Sequence, residues 1–274
     1  MSKVAVVKGE RSLDTVYKAL DLTPYREAFN DWDRVLIKVN FITTKDWRTG
    51  ATTDPMVVEA LVHRLRELGK EVVIVESDAQ TTNADKAWLA SGMDELGKRL
   101  DVPFINMRHV DEKVEVPIKG GRELKKIKIA KIALESALIS AAKMKTHMST
   151  NVTLGMKNLF GMITTKFKGK FHLRGMDKVV HDIAVTIPPQ LTVIDGFVAM
   201  EGRGPVHGTP VQMDTIIAST DVVAADAVAS RIMGFNPERI DHIRWADNSG
   251  LGTLNPEVLG DTVESLKRVF ERAR

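Results

Sequence analysis

Cysteine is absent from this chain of 274 residues. That single absence removes disulfides, thiolate zinc sites, cysteine nucleophiles and cysteine-ligated iron–sulfur clusters together. Any metal would have to be held by His, Asp or Glu. Aromatic residues make up 5% of the chain, too few beside the basic clusters for the stacking platforms that bind single-stranded nucleic acid. No run of about 18 apolar residues occurs, so no segment reads as a transmembrane helix. The N-terminal MSKVAVVKG holds one short apolar run and no long signal-peptide core, and a soluble cytoplasmic protein is expected. Phosphate-cradling G-x-x-x-x-G-K-[ST] is missing, and no G-x-G-x-x-G follows the first predicted strand. Ser77, Ser149 and Ser219 lack the setting of a nucleophile elbow. One-sided charge is missing too, since 39 basic residues face 36 acidic ones for a net charge of +3, which implies no global field for nucleic acid or a membrane surface.

What is present is an α/β alternation with 43% hydrophobic residues, enough for a real core. Val4 to Val7 reads as a strand, followed by helices near 13–20 and 25–30. RVLIKVN at 34–40 is a continuous run of the kind buried on both faces of a parallel sheet. Thr53-Asp54-Pro55 starts a helix that Gly69 closes, and EVVIVES is the next strand. This succession predicts a right-handed crossover in a mainly parallel, doubly wound sheet with helices on both faces. Residues 83–100 carry helical spacing broken at Ser91-Gly92, and 103–129 reads as a small antiparallel insertion turning at Gly120-Gly121. ALISAAK at 137–143 and LTVIDGF at 191–197 are further buried strands. DTIIAST and DVVAADAVASRIMG give a strand and a helix with Asp221 as N-cap. Final helices are expected near 237–247 and 261–272. One domain spans 1–274, either a single compact unit or two packed lobes, about 1–135 and 136–274.

The segment from Lys143 to Gly161, KMKTHMSTNVTLGMKNLFG, carries two histidine-flanking lysines and several amides and hydroxyls in an apolar setting. Helical projection puts Val152, Met156, Leu159, Phe160 and Ile163 on one stripe, with Asn151, Asn158 and Gly161 opposite and Thr150 and Lys157 flanking. One face packs and the other is equipped for hydrogen bonding. Lys145, His147, Lys157 and Asn158 suit a carboxylate or phosphate, with His147 able to move a proton near neutral pH. Lys38 in a buried run needs an acidic partner or an anionic ligand. Asn40, Thr52, Thr53 and Asp54 lie at a strand end and a helix start, where free backbone N–H groups gather. A basic loop, Thr164 to Arg174, holds Lys166, Lys168, Lys170 and His172. Asp177 and His181, at i and i+4, share a helix face with the spacing of metal ligands. Asp195, Glu201, Arg203 and His207 sit among Gly196, Gly202, Gly204 and Gly208 beyond a strand end, and Asp226 on an apolar helix asks for a partner such as Lys38 or Arg203.

Taken together, KVN at 38–40, TTDP at 52–55, KMKTH at 143–147, TLGMKNLFG at 153–161, His172, IDG at 194–196, EGRGP and HGTP at 201–210, and STDVVAADAVASRIMG at 219–234 resemble the family called domain of unknown function 362. The resemblance covers nearly the whole chain and implies its architecture. It also implies a redox association, because similar members are often joined to ferredoxin-like cluster domains, but this chain has no cysteine to supply one. Val39 stands where the family usually has proline.

The expected function is binding, and chemistry on, a small anionic molecule or cofactor. Lys145, His147 and His207 are the candidate catalytic groups. Lys38, Asn40, Thr53, Lys157, Asn158, Gly202, Arg203 and Gly204 are the candidate binding groups. Two alternatives stand beside this. One is a metal-dependent enzyme using His147, His172, His181 or His207 with Asp195. The other is a non-catalytic accessory protein that offers a basic surface to an acidic redox partner.

Overall fold

A computed structural model describes residues 1–165 and 168–273, the side chains of Lys170 and His172 excepted. Strand β1 (Lys3–Lys8) and helix α1 (Leu13–Asp21) open the chain, and β2 (Arg34–Lys38), α2 (Pro55–Glu67) and β3 (Glu71–Glu76) form the expected crossover. Asp54 caps α2, its carboxylate accepting from Met56 N, and Pro55 fills the first helical position where no N–H is required. Helices α3 (Ala84–Ala90) and α4 (Met93–Leu100) then lead to β4 (Phe104–Asn106). Strands β5 (Lys113–Pro117) and β6 (Lys126–Ala130) pair antiparallel as a separate small sheet. The insertion is therefore shorter than 103–129, because β4 joins the main sheet parallel to β3.

The long strands follow. They are β7 (Ala137–His147), β9 (Leu191–Glu201) and β10 (Thr209–Ser219), with β8 (Asn151–Thr153) folded back on β7. Helices α5 (Gly155–Asn158), α6 (Met176–Thr186), α7 (Val222–Ile232) and α8 (Asp241–Asn248) precede β11 (Glu257–Gly260) and α9 (Val263–Leu266). The main sheet runs β11-β1-β10-β9-β7-β2-β3-β4. Its pairs are parallel except at β1/β10, β9/β10 and β7/β8. Strands from the two ends of the chain interleave, β1 lying between β10 and β11.

Side-chain alternation explains why helices cover both faces. Leu36, Val73, Val75, Leu138 and Ala142 pack with α6, α7 and α8 on one side. Val35, Ile37, Val72, Ile74 and Ile139 pack with α1, α2 and α4 on the other. None of the described helices is long and apolar enough to cross a membrane.

Two expectations fail for tertiary reasons. Lys143 to Thr153 is not helical. It is the end of β7, a turn with Asn151 in the left-handed region at φ 62°, and β8. Lys143, Lys145 and His147 recur with period two, the strand period, and only α5 with a following 3-10 turn, Leu159–Met162, is helical. The C-terminal helix stops at Leu266, because Lys267 is extended and the chain beyond it bonds elsewhere. Arg268 N donates to Ile232 O and Phe270 N to Met233 O, satisfying the open carbonyls at the end of α7.

Candidate functional site

Strands β2, β3 and β4 step one way across the sheet while β7 and β9 step the other, so the carboxyl ends of β2 and β7 flank a switch point, the place where open α/β sheets leave a crevice. A cavity of about 330 Å³ opens there, within the size range of small-molecule sites. Its walls include Lys38, Asn40, Glu76, His147, Lys157, Asn158, Phe160 and Lys168, together with Pro205 and Val206 of the β9–β10 loop.

At its floor, register places Lys38 opposite Val75, and the next residue of β3, Glu76, reaches the ammonium. Lys38 Nζ donates to Glu76 Oε2 at 2.9 Å, Asn158 Oδ1 at 2.9 Å and Val39 O at 2.7 Å, which uses all three of its protons. Burial pushes the Lys38 pKa down and Glu76 opposes this. Glu76 is also occupied by backbone, Oε2 accepting from Phe41 N at 3.0 Å and Oε1 from Ser77 N at 2.9 Å.

Asn158 links the floor to β7. Its Oδ1 accepts from Asn40 Nδ2 at 2.9 Å, and its Nδ2 donates to Lys38 O at 3.0 Å and Ser140 Oγ at 3.1 Å. Lys145 lies one layer back. It is fully buried, and Nζ donates to Asn40 Oδ1 and Ala51 O, both at 2.6 Å. Because Lys145 can only donate, it fixes which way the Asn40 amide points. It does not line the cavity, so it acts through Asn40. Burial, then Lys143 and Lys157, push its pKa well below the usual lysine value. Thr53 is framework as well, its Oγ1 accepting from Asn40 N and donating to Ala141 O.

Lys157 and Lys168 also line the cavity. Lys157 Nζ stands 4.7 Å from the Phe160 ring centroid and Lys168 Nζ 5.8 Å from it. Lys168 also donates to Ser77 Oγ and to Gly161 O. Burial, reinforced by Lys38, brings Lys157 to about 8. Burial brings Lys168 to about 7, with Glu76 opposing. His147 ends β7, and its Nδ1 accepts from Ser149 N at 3.1 Å, which places the proton of the neutral ring on Nε2.

The β9–β10 loop enters differently from the expectation. Thr146 Oγ1 donates to Gly202 O at 2.9 Å, and a Cβ on Gly204 would strike the backbone of Thr146. Gly202 and Gly204 thus bring backbone close to β7. Arg203 and His207 are exposed and do not line the cavity, where Pro205 and Val206 stand instead.

The metal candidates are dispersed among other partners. Asp195 is paired with Lys143, His181 Nδ1 with Asp182 at 3.0 Å, and Asp177 with His242 at 2.6 Å. The His172 side chain and all of Lys166 lie outside the described residues. Among the described residues, the His and carboxylate group with metal-like spacing is Asp78, Asp85 and His109. There the Asn106 amide already bonds both aspartates. Asp226 pairs with neither Lys38 nor Arg203. It accepts from Gly155 N at 2.7 Å and Met156 N at 2.9 Å.

Glu76, Ser77, Phe160 and Lys168 complete the cavity but were not singled out from sequence as site residues. Glu76 had a signal, an acid at the end of an apolar strand beside the strand carrying Lys38. The glycine that lets the walls close is Gly161, where a Cβ would run into Lys38 and Glu76. Gly161→Ala is expected to cost about 1–3 kcal/mol by overpacking a locked pair. Urea unfolding reads this directly, and wild-type stability would show that the pair yields.

An open α/β sheet with helices on both faces and a lysine-lined cavity at its switch point defines the class of protein. Residues 35–231 match the model of the family described as domain of unknown function (DUF362), and the chain belongs to that family. It is 30% identical over 239 residues to a protein of Synechocystis sp. (strain ATCC 27184 / PCC 6803 / Kazusa) described as thylakoid-associated, a match covering 82% of this chain and 71% of that one. No solved structure matches the chain.

Proposed function

We propose that the cavity binds a small anionic molecule carrying a carboxylate or phosphate. One observation carries this: Lys38, Lys157 and Lys168 line it against the single carboxylate of Glu76, whose oxygens already serve Lys38 and two backbone N–H groups. Among the described residues, Lys157 has no hydrogen-bond acceptor or contact ion pair, Glu76 and Asp177 acting on it only at longer range, and it rests on the Phe160 ring. An entering anion would offer charge-assisted bonds to buried Lys168 and half-buried Lys157 in a setting of lowered dielectric. Lys168 and the remaining Asn40 amide proton would orient it, Lys38 would add its charge, Asn158 and Lys145 would hold Asn40 in register, and His147 would donate or accept a proton.

The pH dependence follows in sign. Lys157 and Lys168 are cationic below about 8 and about 7, so anion affinity is full below that window and is lost as pH rises through it. Calorimetric titration with sulfate and malonate, whose own charges barely change between about pH 6.5 and 8.5, is expected to show tighter binding at the lower value. Lys157→Ala should weaken binding about 10- to 100-fold, the worth of a hydrogen bond to a charged group. No heat with either anion at millimolar concentration, or equal affinity in Lys157→Ala, would refute the proposal.

A further inference from the structure

The five lysines around this site are not equivalent. Lys38 has three acceptors, Lys143 has Asp195, Lys145 has two acceptors and Lys168 has two. Lys157 has none among the described residues, yet it lines the cavity. It projects from α5, whose backbone N–H groups at Gly155 and Met156 are fixed by the buried Asp226, so its position is rigidly set. Phe160, three residues on, covers it with an aromatic face, and Phe41, Ile42, Met148 and Val206 make much of the remaining wall apolar. Lys38 acts on it as a neighbouring cation, while Glu76 and Asp177 oppose from beyond ion-pair distance.

An amine without hydrogen-bond acceptors, in an apolar wall and beside a second cation, is held in the arrangement that favours its neutral, nucleophilic form. We infer that Lys157 is a nucleophile that forms an imine with the carbonyl carbon of a small anionic carbonyl compound bound in this cavity. This rests on the anion-binding proposal above, since Lys168, with one proton left, would hold the anionic end of the compound, the charge of Lys38 assisting. The Lys157 nitrogen lone pair adds to the carbonyl carbon, forming C–N while the carbonyl π electrons move to oxygen. One nitrogen proton passes to the alkoxide oxygen, giving the neutral carbinolamine. Its hydroxyl takes a second proton and leaves as water as the C–O bond breaks and the nitrogen lone pair forms C=N, and the iminium then gives up its remaining N–H proton to leave the imine. His147, which lines the same cavity, would supply and recover the protons. The balance is amine plus carbonyl giving imine plus water, with no oxidant, reductant or metal. A lysine near 8 holds on the order of a hundredfold more neutral amine at pH 7 than an exposed one.

The test uses the full chain with pyruvate or dihydroxyacetone phosphate as the carbonyl probe, which separate a carboxylate from a phosphate as the anionic group. Sodium borohydride reduces any imine to a stable secondary amine, read by intact mass and peptide mapping. Binding of the unreactive analogues, lactate and glycerol 3-phosphate, is measured alongside by calorimetry. Expected is one saturable adduct on Lys157, labelled about tenfold or more faster than any surface lysine, and lost in Lys157→Arg. Mapping on the wild-type chain stands even if that variant does not fold. Adducts spread over surface lysines, or one on a different pocket lysine, would overturn the proposal. No adduct while an analogue binds would overturn it and leave anion binding intact. Neither adduct nor analogue binding would refute both.

Discussion

Lys143→Met is expected to destabilise the chain by about 3–5 kcal/mol, the cost of leaving a buried charge without its partner. Lys143 on β7 and Asp195 on β9 face each other in parallel register, both fully buried, with Nζ 2.7 Å from Oδ2. Asp195 also accepts from Asp54 N at 2.8 Å and Phe197 N at 3.1 Å, tying the start of α2 to the sheet. Burial pushes its carboxyl above the usual range, and Lys143 opposes that push. Removing the lysine strengthens the push, and the pH sign then follows. An acid whose folded pKa lies above its unfolded value binds its proton first in the folded state. The variant should therefore regain stability as pH falls through the folded value toward about 4. Lys143→Met with Asp195→Asn should recover much of the loss at neutral pH, because no charge is buried and the amide oxygen can still accept. Urea unfolding of the single and double variants at two pH values decides. A single variant within about 1 kcal/mol of wild type would mean that the pair contributes little.

Asp226→Ala carries the second large effect. Its carboxylate is the acceptor for two buried N–H groups at the start of α5, and each donor left unsatisfied costs about 1–3 kcal/mol. The expected loss is about 2–6 kcal/mol. Asp226→Asn should fall between, since it keeps one acceptor and turns a donor toward the other N–H. Burial pushes the Asp226 carboxyl up to about 7, with those two N–H groups opposing. Its folded value again exceeds the unfolded one, so this group favours folding most at about pH 4 and below. That contribution declines as pH rises to about 7 and is flat above. Asp226→Asn should remove this slope, measured as the change in urea midpoint between pH 5 and 8. An unchanged slope would assign it to other groups. Since α5 carries Lys157 and Asn158, the alanine variant should also weaken sulfate binding.

These two pairs show where sequence stops. Asp226 was recognisable as an anomaly, an acid in VVAADAVA, but its partners are backbone N–H groups 70 and 71 positions away that no pattern marks. Lys38 was recognisable in the same way, as needing an acid or an anionic ligand, yet naming Glu76 rather than Asp226 required knowing that β2 and β3 are neighbours in a particular register. Lys145 and Lys157 look alike as residues. One is spent on Asn40 and Ala51 while the other faces the cavity, a distinction made by the direction of β7 and the placement of α5. Arg203 and His207 point outward because the β9–β10 turn applies its glycines and Pro205, not its charges, to the site.

By itself the sequence determined the α/β class, the crossover from β2 to β3, the caps at Asp54 and Asp221, and most boundaries through Ser219. These depend on local periodicity, helix-start chemistry and burial of short apolar runs, all of which act over a few residues. Tertiary structure decided that Lys143 to Thr153 is strand and turn, that β11 pairs with β1, and that the last residues bond to α7 in place of continuing a helix. It also decided which lysines are satisfied and which is left facing a cavity. The reason is common to all of these: hydrogen bonds and charge pairs between distant segments are set by strand order and register, and those are properties of the assembled sheet.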